Sequence, residues 1–174
     1  MIAQRLIQII KTSYKSLDRP NFVSYSRGES DEAAYVEEYF RGKIWQDISF
    51  EKLRHDYSGP EQSCLCFMTS EAGSYYLPSF MLMSMDKEGK NHNIYPSALE
   101  FIGQNYVYLL ESYSTDQLLT LMRYVEYMKL SELVEVENIG GDVGPYYAIA
   151  VEVLQKLPKP NIHKYPNWDY TIDG

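Results

Sequence analysis

Apolar residues recur at spacings of three and four along most of the chain, which is the period of an amphipathic helix. Ile2, Leu6, Ile9, Ile10, Tyr14 and Leu17 form one such stripe, so residues 2–17 are predicted as a helix ending before Pro20. A polar, turn-rich stretch over 20–30 follows. Ser30 then offers an N-cap, with Asp31 and Glu32 suited to the positive end of the helix dipole. That helix should stack Tyr35, Val36, Tyr39 and Phe40 and stop at Gly42. Ser49 caps a short helix with Phe50, Leu53 and Tyr57 facing inward, closed by the Ser58-Gly59-Pro60 turn.

Thr69 or Ser70 opens a longer apolar helix through Met85, and Pro78 inside it predicts a kink. Residues 86–93 read as a charged loop. Ser114 followed by Gln117 is a capping box ahead of Leu118, Leu119, Met122, Val125 and Met128. Ile139 to Gly144 is a glycine-rich turn, and Pro145 opens a last helix that Pro158 ends. Three segments fit a strand as well as a helix: Cys64–Met68, Tyr106–Leu110 and Leu133–Glu137. The predicted class is all-α, with about six helices and a central helix kinked at Pro78. The alternative is α+β, with a minor sheet built from those three segments. Residues 1–158 form one helical domain, and 159–174 an extended aromatic tail.

Composition adjusts this picture in two places. Of 174 residues, 17 are tyrosine, a density at which some rings are expected on the surface as well as in the core. The formal net charge of −8, with Lys and Arg scattered singly, argues against nucleic-acid binding; such a surface can steer a basic partner but mostly signals solubility. No stretch reaches the roughly 18 apolar residues of a membrane span, and the start of the chain has helical periodicity where a signal peptide has an unbroken apolar run. A cytoplasmic protein with no membrane partner is the expectation.

Candidate chemistry is sparse. Cys64 and Cys66 lie too close for a direct bridge, and without a second cysteine pair they do not complete a structural zinc set. His55, His92 and His163 are far apart in the chain. A Cys–His nucleophile would need the fold to bring His55 to Cys64 with a carboxylate nearby. Gly140-Gly141-Asp142-Val143-Gly144 lacks the Lys-Ser/Thr ending of a phosphate loop. No catalytic residue, metal site or cofactor is therefore predicted. The Tyr75-Tyr76-Leu77-Pro78 block reads as packing, with tyrosine hydroxyls satisfying the carbonyls that the proline loosens, or else as the edge of a ligand groove.

Trp45-Gln46-Asp47-Ile48, then Ser70-Glu71-Ala72 leading to Tyr75-Tyr76-Leu77-Pro78-Ser79-Phe80, then the helix from Ser114, together resemble an uncharacterised family of small bacterial domains. The resemblance spans about residues 1–130 and rests most on the Tyr-Leu-Pro block. Many such domains carry a cysteine pair between their first two helices. Here that region reads Ser26-Arg27-Gly28-Glu29-Ser30, so a metal or redox role tied to that pair is not implied. The resemblance implies no established activity, and its immunity-protein-like character comes from an association: similar small acidic proteins are often immunity partners of bacterial toxins.

The leading functional expectation is a non-catalytic domain that neutralises a basic bacterial toxin by binding it. The candidate contact residues are Asp31, Glu32, Glu37, Glu38, Glu132, Glu135 and Glu137, with Tyr165, Trp168 and Tyr170 of the tail. An enzyme with a dispersed site, and an adaptor that self-associates through tyrosines, are the alternatives.

Overall fold

A computed structural model describes residues 2–25, 30–139 and 145–157. Among these residues the architecture is all-α. The helices are α1 (Ile2–Ser13), α2 (Asp31–Phe40), α3 (Phe50–Asp56), α4 (Ser70–Met85), α5 (Lys87–Asn91), α6 (Ile94–Ser112), α7 (Thr115–Ile139) and α8 (Pro145–Lys156). Short 3-10 helices cover Trp45–Asp47 and Glu61–Phe67.

The predicted start signals hold. Ser30, Ser49 and Thr69 accept hydrogen bonds from the Ala33, Lys52 and Ala72 amides. Ser114 and Gln117 bond reciprocally, the Ser114 amide donating to Gln117 Oε1 at 2.8 Å. Gly42 follows α2 with φ +74°, the left-handed conformation that ends a helix at least cost in glycine.

α4 is the axis of the core. Residues 72–81 are buried without a break, so the helix has no solvent face and needs no amphipathic pattern. It packs chiefly on α6, and also on α1, α5 and the 45–47 segment, while α7 packs on α1, α6 and α8. The α4–α6 approach is close: a Cβ on Gly73 would stand 2.2 Å from the Phe101 ring. The end of α1 docks on the start of α7. There Tyr14 Oη donates to the Gln117 carbonyl at 2.7 Å and Gln117 Nε2 donates to the Ser13 carbonyl. The Trp45 indole, 1% exposed, donates to the Tyr14 carbonyl. Carbonyls that a helix end leaves open are thus closed by side chains.

Several expectations are corrected. Among the described residues eight α-helices stand where about six were expected, partly because residues 87–91 form α5 where a loop was predicted. α4 runs through Pro78 as one helix, without the predicted kink. Pro78 cannot donate to the Ser74 carbonyl four residues back, but Tyr113 Oη donates to that carbonyl at 2.6 Å. The buried hydroxyls of Ser79 and Ser84 donate to the Tyr76 and Met81 carbonyls in the same helix.

The break occurs instead in α6, at Asn105 (φ −110°, ψ 16°). The predicted sheet does not form: 61–67 is a 3-10 helix, 106–110 is the second half of α6, and 133–137 continues α7. Neither glycine nor proline occurs between Thr115 and Ile139 to stop that helix. The one strand-like pairing among the described residues is the isolated bridge of Ser24 with Met68. Gly140–Gly144 and the 159–174 tail lie outside the described residues.

Candidate protein-binding face and adjoining cavity

The four carboxylates predicted on α2 divide between two faces. Ala33, Val36 and Phe40 face the core at helical spacing, and position 37 falls on the same stripe. Glu37 is therefore buried, which corrects its assignment as a surface contact. Its Oε2 accepts the Val23 and Ser24 amides at 3.0 and 2.8 Å, and its Oε1 accepts two Arg41 donors at 3.0 and 2.8 Å. Burial pushes the carboxyl upward. The Ser24 amide, the Arg41 side chain and the Val23 amide together outweigh burial and leave its pKa below the ordinary value. Glu37 thus fastens the 22–25 segment to α2.

The outward face of α2 carries Asp31, Tyr35 and Glu38 at i, i+4 and i+7, with Glu32 also exposed beside them. Tyr35, expected in the core stack, is 37% exposed. The fastened segment presents two large rings, Phe22 at 57% and Tyr25 at 68% exposure. Sequence reasoning missed Phe22 and Tyr25 because no periodicity marks a loop. For Glu132, Glu135 and Glu137 the structure describes the helical backbone of α7 alone. Tyr165, Trp168 and Tyr170 lie outside the described residues.

Trp45, Tyr75, Tyr76, Leu77 and Pro78 all sit in the core. Tyr76 Oη donates to the carbonyls at the end of α2, Phe40 at 2.6 Å and Lys43 at 2.9 Å. The hydroxyls of Tyr14, Tyr113 and Tyr124 are fully buried, and burial raises the pKa of each.

Of the two cavities described below, His55 lines the larger and Cys64 lines neither. His55 is exposed, bonded to Asp56 at 2.6 Å and raised in pKa by that bond. It edges an open groove of about 930 Å³ whose floor includes Ile7, Phe50 and Leu82. Cys64 is buried elsewhere and its thiol is pushed by burial up to about 12, which holds it in the unreactive protonated form. A smaller cavity of about 160 Å³ opens between α6 and the 61–67 segment. Tyr25, Cys66, Ser97, Glu100, Gln104 and Asn105 are among its lining residues.

Comparison of the chain with protein-family models, curated proteins and solved structures returns no match.

Proposed function

We propose that this chain is a non-catalytic protein-binding domain, an immunity-type protein of the bacterial cytoplasm that neutralises a toxin by binding it. The observation that carries this reading is the α2 face, where Asp31, Glu32 and Glu38 surround Tyr35 on a rigid helix. The Glu37 clamp fixes the backbone at Val23 and Ser24, between the two exposed rings, and Tyr25 Oη is bonded to Ser70 of α4, so the segment that carries the rings is held before any partner arrives. Rings carried on a backbone held in this way need less ordering on binding, and interfacial energy concentrates in such aromatic contacts. Carboxylates around them steer a basic surface toward the site. The net charge of −8 favours a basic protein over a nucleic acid as that partner. The resemblance to small bacterial domains with an immunity-like character points the same way.

The test is a protection assay against the toxin encoded beside this chain, paired with capture on the purified protein. Protection with a stoichiometric complex, both lost on replacing Phe22 and Tyr25 by Ser, is the expected outcome. Failure to protect, or protection undiminished in that variant, overturns the reading.

A further inference from the structure

The cavity between α6 and the 61–67 segment has an uneven chemistry. Glu100 is the one charged residue among its described lining, and no cationic side chain there neutralises it. Ser97, 6% exposed, lines the same cavity and its fully covered hydroxyl oxygen has no hydrogen-bond partner. That oxygen is covered by its neighbours, so the acceptors open to a guest are the Glu100 carboxylate and the amide oxygens of the rim. The break in α6 adds to this arrangement. At Asn105 the side chain takes over helical bonding, its Nδ2 donating to the Phe101 carbonyl at 3.0 Å. Asn105 Oδ1 accepts from Ser70 Oγ at 2.7 Å, and Ser70 is bonded in turn to Tyr25 Oη. The rim is thus a fixed polar network, with Gln104 on the exposed side and the Tyr25 ring standing 68% exposed at the mouth.

We propose that this cavity is a receptor for one guanidinium group, the head of an arginine side chain presented by the protein partner. The Glu100 carboxylate and the Gln104 and Asn105 amide oxygens offer acceptors, which suits a planar group that only donates. The ring at the mouth supplies a face over which a guanidinium stacks. At about 30 Å³ per water molecule, a cavity of 160 Å³ has room for a guanidinium and the methylenes behind it. The partner is the source because Tyr25 belongs both to this rim and to the exposed aromatic segment of the proposed binding face. The source therefore rests on the protein-binding reading, while the pocket chemistry stands apart from it.

The probe is N-acetyl-arginine methylamide, titrated into isotope-labelled protein while the amide resonances of residues 97–105 are followed. Saturable shifts confined to that region are expected, with affinity falling about tenfold or more in Glu100→Gln, an exposed site where the substitution spares the core. The lysine analogue should bind several-fold more weakly. Alkylating the exposed Cys66 with iodoacetamide, which spares buried Cys64, should block the cavity and abolish the shifts without any mutation. Shifts spread over Asp31, Glu32 and Glu38, equal affinity in Glu100→Gln, or full binding to alkylated protein would each overturn the pocket. The probe needs no partner, so a negative titration leaves the protection assay standing. A positive titration with a partner complex insensitive to Glu100→Gln overturns the arginine of the partner as the source.

Discussion

Tyr113 and Pro78 form a pair at the residue scale that neither position reveals alone. Proline deprives the Ser74 carbonyl of its helical donor, and a hydroxyl 39 residues along the chain replaces it. Tyr113→Phe keeps the ring and its edge-to-face contact with Tyr14 but leaves that buried carbonyl open, at an expected cost of about 1–3 kcal/mol. In a Pro78→Ala background the restored amide should serve Ser74, and the same substitution should then cost clearly less. Urea unfolding of the four proteins of this cycle reads the coupling directly. Equal costs in both backgrounds would show that the hydroxyl does not compensate for the proline.

Glu37 gives the second residue-scale prediction. Its carboxyl has a depressed folded pKa, so its contribution is present above the ordinary glutamate range and disappears as pH falls through the folded value. Glu37→Gln should lose about 1–3 kcal/mol at pH 7, where a charged acceptor is replaced by a neutral one, and less at an acid pH below the folded value. Stability measured at the two pH values checks the sign, and a penalty that grew in acid would refute it. Tyrosine hydroxyls on carbonyls were anticipated for the 75–78 block as a type of contact, but the donor, Tyr113, was not. Glu37 was misread because neighbouring acidic residues on a helix are so often solvated. The signal that could have found it is its register with Ala33, Val36 and Phe40, together with Arg41 one turn on.

At the scale of elements, local chemistry was legible wherever a capping side chain marked a start, as at Ser30, Ser49, Thr69 and Ser114. It was illegible where tertiary contacts decide. The 61–67 segment is too short for periodicity to speak, and it takes its shape from packing on α6. The second half of α6 is rich in aromatic and β-branched residues and reads as a strand because the register shifts at Asn105. α4 shows no stripe because it is buried on all sides. Its approach to α6 makes the third prediction. Gly73→Ala raises helix propensity, yet its Cβ would meet the buried Phe101 ring at 2.2 Å. Overpacking should win, lowering stability by about 1–3 kcal/mol in thermal or denaturant unfolding. A neutral or stabilising result would mean that α4 and α6 separate more readily than their packing implies.

For the whole molecule, the question is whether charge or aromatic surface governs association, and the two answers differ in how they respond to salt. A net charge of −8 acts over distances of about 10 Å at 0.1 M salt and is largely screened at 1 M. The rings of Phe22 and Tyr25 act only on contact and lose nothing to salt. Reversing Asp31 and Glu38 together to Lys leaves the Glu37 clamp and the α2 core face in place, so stability should fall by only about 1 kcal/mol, from the cation placed in the first turn of α2. The association rate with a basic partner should fall about tenfold or more at low salt, with a much smaller change in dissociation rate. Replacing Phe22 and Tyr25 by Ser should do the reverse, speeding dissociation at every ionic strength. Stopped-flow or surface-binding kinetics of the two variants across a salt series separates these effects. Steering is refuted if charge reversal slows association equally at low and high salt, and the aromatic contacts are refuted if their loss leaves dissociation unchanged.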